Sequence, residues 1–158
     1  MKSNLISKSE TVDVLKEIGQ QWKIDTPKIK NLKIYVLEEN AEMMVGDGLT
    51  ALKIGQSYLP FLSDVETLKK FPSVTVDMGA VKFMCKGANV MRPGIRNFTE
   101  FEKDQLVCIV EESQKKFLAV GKALVSSKEL ETMSKGMVIE NLHYISDKYW
   151  EIKKSIKD

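Results

Sequence analysis

Lys82, Lys86, Arg92 and Arg96 carry the only charges between Met78 and Thr99, and no Asp or Glu follows until Glu100. Ammonium and guanidinium groups gathered this way bind anions, phosphate above all, rather than move protons. Arg92 is the sharpest candidate, because a guanidinium can hold a phosphate through two parallel hydrogen bonds or stack on an unpaired base. This local excess outweighs the net charge of +2 carried by the whole 158-residue chain.

The segment that positions these cations reads VDMGAVKFMCKGANVMRPGI. Asp77 is a good N-cap, since its carboxylate can accept from the free amides of a first helical turn. Gly87 stands where a left-handed cap would end the helix, so the spacing predicts one helix over Met78 to Lys86. On it Lys82 and Lys86 share an outward face, while Ala80, Val81, Met84 and Cys85 form an apolar stripe. A strand then turns at Pro93-Gly94, whose glycine lets backbone approach a docked partner. Met84 and Met91 are read as core. Gly87, Ala88, Asn89, Pro93 and Gly94 join the cations as candidate contacts, and Lys122 and Lys135 extend the surface if the following strands close into a barrel.

Residues for catalysis are scarce. His143 is the single histidine and has neither a nucleophile elbow nor a HExxH spacing around it. Glu38-Glu39 and Glu111-Glu112 are sequence neighbours, which in strands point to opposite faces and cannot converge as an acid/base couple. They read as solvated edges or turns. Gly46-Asp47-Gly48 lacks the GxxxxGK[ST] pattern and reads as a hairpin turn, not a phosphate loop. Cys85 and Cys108, with no CxxC spacing, read as reduced and mostly buried thiols. No cofactor or metal site is expected.

Composition bounds the rest. Residues 1–72 hold ten lysines against ten acidic residues, and residues 73–158 hold 14 basic against 12 acidic. Neither half is a polybasic tail, so recognition depends on where the cations stand, not on bulk charge. No stretch approaches the roughly 18 apolar residues of a membrane span, and the first residues lack the apolar core of a secretory signal, so a cytoplasmic location is expected.

The pattern predicts a helix over Lys8 to Trp22 behind the Ser7/Glu10 capping box, then β-rich runs at Leu32–Leu37, Met43–Val45 and Leu49–Ile54 as a small meander. Pro60 is read as opening a short helix through Leu62, Val65 and Leu68, and Phe71-Pro72 as the domain boundary. Beyond it, Leu106–Val110 and Phe117–Val125 read as strands, Ser127–Ser134 as a helix capped by Ser127, and Met137–Ile139 and Leu142–Ile145 as the last strands. The expected fold is α+β: an N-terminal α/β-meander domain, residues 1–72, followed by a mixed β-barrel, residues 73–158.

The strings DMGAVKFMCKGANVMRPGI, QLVCIVEESQKKFLAVGKALVSS and MSKGMVIENLHYISDKYWEI resemble a PUA domain, an RNA-binding module. A PUA-like C-terminal half after an N-terminal domain ending in KKFP resembles the malignant T-cell-amplified-sequence family of translation factors, and the short chain suits an archaeal member. The resemblance implies that Lys82 to Gly87 and Asn89 to Ile95 contact structured RNA, either a tRNA acceptor end or ribosomal RNA. It also implies work on the small ribosomal subunit in initiation or recycling, and a SUI1-domain protein partner held through the N-terminal domain. The expectation is a non-catalytic RNA-binding protein. The alternatives are an accessory RNA-binding chain of a tRNA-modifying enzyme of the archaeosine transglycosylase type, and a protein-interaction adaptor.

Overall fold

Ser7 and Glu10 close the reciprocal cap that their spacing predicts. Ser7 Oγ accepts from the Glu10 amide at 3.0 Å, and Glu10 Oε1 accepts from the Ser7 amide at 3.2 Å. Helix α1 (Lys8–Trp22) comes next, burying Thr11, Leu15, Ile18 and Trp22 on one face and ending at a left-handed Lys23. The computed structural model describes residues 1–156, and the chain divides into two units, Met1–Lys70 and a second that begins at Phe71.

The first unit is an antiparallel sheet of five strands in chain order, β1 (Ser3–Leu5), β2 (Lys33–Glu38), β3 (Ala41–Gly46), β4 (Leu49–Ile54) and β5 (Ser57–Pro60). Asp47 and Gly48 make the turn between β3 and β4, where Gly46 faces Leu49. The Trp22 indole N–H donates to the Tyr58 carbonyl at 2.8 Å, tying α1 to β5. Burial and the nearby Glu17 and Glu42 push the Tyr58 phenol up to about 12. Two strands escape the sequence pattern, β1 and β5. Pro60 does not open a helix; it closes β5 opposite Ala51. An edge strand tolerates a residue with no N–H, which removes the conflict that a central strand would pose. The helix instead begins later, as α2 (Val65–Leu68), behind Asp64, whose carboxylate accepts from the Thr67 amide and hydroxyl.

The second unit begins with β6 (Ser73–Val76). Then come a 3-10 turn (Met78–Ala80), α3 (Val81–Met84), β7 (Val90–Met91), a second 3-10 turn (Arg92–Gly94) and β8 (Ile95–Phe98). The chain continues through β9 (Leu106–Glu111), β10 (Phe117–Ala123), α4 (Ser127–Thr132), β11 (Met137–Tyr144) and α5 (Lys148–Lys154). Six strands in the order β7-β11-β10-β9-β6-β8 form a nearly closed barrel, parallel only between β6 and β9. Its core packs Val74, Val76, Val107, Ile109, Leu130, Val138 and Ile139, all essentially without solvent contact. Each such side chain stabilises the fold by about 1.5–3 kcal/mol relative to exposure.

Several local expectations change here. The cap of α4 is Ser126, one residue earlier than expected, because the Ser127 hydroxyl is committed to the backbone of Phe101. The last two strand runs are one strand, β11, whose register against β10 shifts between Val120 and Gly121. A side chain at Gly121 would collide with the Glu140 carbonyl and the Ile139 side chain, so the irregularity needs glycine.

The buried carboxylates are fully engaged. Glu111 is buried, not a solvated edge: its carboxylate accepts from the Ser113 hydroxyl and from the Gln114 and Lys115 amides, fastening the β9–β10 turn. Burial works to raise its pKa, and those donors together with the Lys116 amide leave it lowered. Asp147 caps α5 through the Trp150 amide at 2.8 Å, accepts from the Tyr144 amide at 2.9 Å and meets His143 Nδ1 at 2.7 Å. His143 is thus a buried structural residue, with its ring edge-on to Tyr149. Cys108 is buried, and burial pushes its thiol up to about 12; burial raises the partly buried Cys85 as well. Among the described residues no helix is long and apolar enough to cross a membrane, and no cluster of His, Cys, Asp and Glu is placed to hold a metal ion.

Candidate nucleic-acid interface

Asp77 does cap the turn after it, accepting from the Ala80 amide at 3.0 Å, but the expected two-and-a-half-turn helix is a 3-10 turn running into the single turn of α3. Met84 is buried and Ala80, Val81 and Cys85 pack against the core, as the apolar stripe predicts. Their inward pull turns the opposite face out. Lys82 and Lys86 are exposed there, and so is Phe83, 52% of whose surface meets solvent. The Lys82 ammonium lies 5.2 Å from the Phe83 ring centroid, a cation–π contact.

Gly87 ends this element with φ +91°, and a Cβ there would lie 2.9 Å from the Tyr144 ring. Only glycine satisfies both the left-handed backbone and the close approach. Asn89 lies two residues on, its Oδ1 accepting from the Asn141 amide and its Nδ2 reaching Met137 Sδ, while Asn141 Nδ2 donates to the carbonyls of Met84 and Ala88. The α3-to-β7 connection is therefore locked onto β11.

Between the two 3-10 turns lies a groove of about 400 Å³, lined by Val76, Asp77, Gly79, Ala80, Phe83, Met84, Ala88, Asn89, Val90, Met91 and Gly94. Its volume falls in the range of small-molecule sites. The lining is almost wholly apolar apart from Asp77 and Asn89, and both have partners within the fold. Exposed Met78, Met91 and Met137 add to the apolar surface of this unit. Met91 is thus surface rather than core, because β7 is a two-residue edge strand whose outward position nothing covers.

The expected cations do not form one set. Lys82 and Lys86 stand on the exposed face next to the groove, and Lys135 is exposed on the turn between α4 and β11. Among the described residues none of these three has a carboxylate partner within 4.0 Å. Arg96 differs: Glu112 lies 3.4 Å from its Nε and Asp77 3.9 Å from its Nη2. The stretch that is free of acid along the chain is not free of acid in space, since folding brings β8 beside β6 and its neighbours. Lys122, on β10, pairs with Asp104 at 3.7 Å, and neither it nor Arg96 lines the groove. Arg92 is half-buried, with Nε donating to the Met133 carbonyl and Nη1 to the Ile95 carbonyl. Pro93 is exposed in the second 3-10 turn, and the Gly94 carbonyl accepts from the Asp77 amide.

Residues 72–145 match the PUA domain family. The chain is 31% identical to malignant T-cell-amplified sequence 1-A of Xenopus laevis over 97% of its own length and 90% of that protein. It belongs to the malignant T-cell-amplified-sequence family. An uncharacterised protein of Methanocaldococcus jannaschii is 35% identical across 96% of this chain and 97% of its own. Translation machinery-associated protein 20 of Schizosaccharomyces pombe is 40% identical over 51% of this chain and 48% of that one. The fold is shared with a hypothetical protein of Pyrococcus horikoshii, at a TM-score of 0.79 and 23% identity over 96% of this chain and 99% of that one. A conserved PUA domain protein of Thermoplasma acidophilum superposes with a TM-score of 0.78 at 21% identity, covering 96% of this chain and 99% of its own.

Proposed function

We propose that this chain is a non-catalytic RNA-binding protein of translation, in which the PUA domain, residues 73–158, receives structured RNA, a tRNA acceptor end or ribosomal RNA. The observation that carries this reading is the apolar groove flanked by Lys82, Phe83 and Lys86 beside the Gly87 turn. Cations without carboxylate partners neutralise phosphates, and an exposed aromatic ring beside them offers a stacking surface to an unpaired base. Family membership and the name of the S. pombe relative support work in translation. In this reading Lys82, Lys86, Gly87, Ala88 and Asn89 make or shape the contacts from the α3 side, with Arg92 to Gly94 and Lys135 opposite. Arg96 and Lys122 contribute only by exchanging their carboxylate partners for phosphate. The first domain, residues 1–72, offers the surface for a SUI1-domain partner on the small ribosomal subunit, and the protein works in the cytoplasm.

Fluorescence anisotropy with labelled tRNA and with an RNA duplex of equal charge, at two salt concentrations, tests the reading. Tighter, salt-dependent binding to tRNA is expected. Equal or absent binding to both RNAs argues against it. A second reading, a protein-interaction adaptor, is favoured by the exposed Met78, Phe83, Met91 and Met137; a complex that survives nuclease treatment would support it.

A further inference from the structure

One residue ties down both ends of the turn between α4 and β11. Arg92 Nε donates to the Met133 carbonyl at 3.0 Å, and the Arg92 backbone N–H donates to the Gly136 carbonyl at 2.8 Å. The same guanidinium reaches the Ile95 carbonyl through Nη1 at 3.4 Å. Met133 is the residue that ends α4, so its carbonyl has no helical donor of its own. Lys135 sits between the two anchors and is exposed. Immediately beyond them Met137 pairs with Met91, which lines the groove.

We propose that Arg92 is a positioning residue, a strut that fixes the Met133–Gly136 turn and so carries the Lys135 cation to the rim of the groove, rather than a phosphate ligand itself. Its planar fork suits the task, because a guanidinium can serve two carbonyls in different directions with little further loss of side-chain freedom. A phosphate arriving at Arg92 would have to compete with these backbone acceptors, and the released carbonyls would lose their donors. The link to RNA rests on the function proposed above; the strut itself is a property of the free protein.

Two Arg92 variants, Lys135→Ala, the Arg92→Gln/Lys135→Ala double variant and two readouts separate the possibilities. Arg92→Gln removes the fork, and Arg92→Lys keeps the charge on an ammonium that cannot span the same carbonyls. In the free protein, hydrogen exchange at the amides of residues 133–137 is expected to quicken about tenfold in both, and to stay unchanged in Lys135→Ala. In anisotropy titrations with a fluorescein-labelled RNA hairpin bearing an unpaired 3′ tail, Arg92→Gln and Lys135→Ala should each lower the salt slope by about one, and the double variant by no more than either alone. Unchanged exchange together with additive slopes would overturn the strut and make Arg92 a direct phosphate ligand. Should Arg92→Gln fail to fold, Arg92→Lys carries both readouts: affinity retained with unchanged exchange overturns the proposal. Absence of RNA binding by the wild type would overturn the proposed function and the role of Lys135, while the exchange result would still decide for or against the strut.

Discussion

The barrel unit has two regions rich in polar groups, and they are organised in opposite ways. Around His143 and Asp147, buried charge is enclosed, and one carboxylate takes up the ring nitrogen and two backbone amides. Around Lys82, Phe83 and Lys86, the cations lack carboxylate partners among the described residues and a large aromatic ring lies open. A buried polar cluster that is satisfied internally serves stability. An exposed ring beside cations without carboxylate partners contributes little to the free protein beyond the Lys82–Phe83 contact, and most of its interaction energy is left for something that docks. The contrast predicts that substitutions in the first region move stability and leave intrinsic recognition alone, while those in the second do the reverse.

The largest effect is expected at Asp147. Asp147→Ala removes the α5 cap and the partner of a buried histidine, and should cost about 3 kcal/mol in urea unfolding near neutral pH. The pH dependence has a definite sign. Burial acts to raise the Asp147 pKa, but the His143 hydrogen bond and charge, with the Trp150 and Tyr144 amides, leave it below the ordinary carboxylate value. A lowered folded pKa contributes stability that is complete above the unfolded value of about 3.9 and is lost as pH falls through the folded pKa. The gap between wild type and Asp147→Ala should therefore narrow in acid, as pH falls below about 4. A gap that stayed constant down to about pH 3 would show that the carboxylate charge is not the stabilising element.

Almost as large, and in binding instead of stability, should be the loss in Lys82→Glu with Lys86→Glu. Affinity for tRNA is expected to fall about a hundredfold, with the salt slope reduced by about two if both lysines meet phosphates. Unfolding free energy should change by no more than about 0.5 kcal/mol, since both residues are exposed. A drop in stability matching the loss of binding would erase the contrast between the two regions.

Much of this was legible in the chain because it is local. The Ser7/Glu10 cap, the Asp47-Gly48 turn, the Asp77 cap and the left-handed Gly87 each need only a few neighbouring residues to be specified, and each forms as its residue types demand. The same helical-face argument that turns Lys82 and Lys86 outward also turns Phe83 outward, so its exposure could have been read from the stripe of Ala80, Val81, Met84 and Cys85. What the chain concealed depends on partners distant in sequence. Arg96 meets Glu112 through strand pairing, Arg92 meets Met133 across 41 positions, and Asn89 is fixed by Asn141. Pro60 misled for a related reason: whether proline starts a helix or closes a strand depends on whether that strand lies at a sheet edge.

Phe83 provides a finer test, because an aromatic ring contributes without charge. Phe83→Ala should weaken binding to RNA with an unpaired end about tenfold, in line with base stacking, and leave the salt slope unchanged. Phe83→Tyr should retain most of the affinity. Equal weakening on a blunt duplex would indicate that the ring packs against the backbone or against a protein partner, not against a free base.

The smallest expected effect belongs to Arg96, which sequence alone would rank beside Lys82 and Lys86. Its side chain is 63% exposed, and its guanidinium is shared between Glu112 and Asp77, at distances of 3.4 and 3.9 Å. Surface pairs of this kind contribute about 0–1 kcal/mol, because solvent screens them and holding the side chains costs entropy. To reach a phosphate, Arg96 would have to leave two carboxylates, so the gain from the new partner is offset by the loss of the old ones. Arg96→Ala should therefore shift tRNA affinity by no more than about twofold and stability by no more than about 0.5 kcal/mol. A loss comparable with that of the Lys82/Lys86 variant would mean that the carboxylates release Arg96 when RNA arrives, and that the boundary between satisfied and available charge is drawn by the ligand.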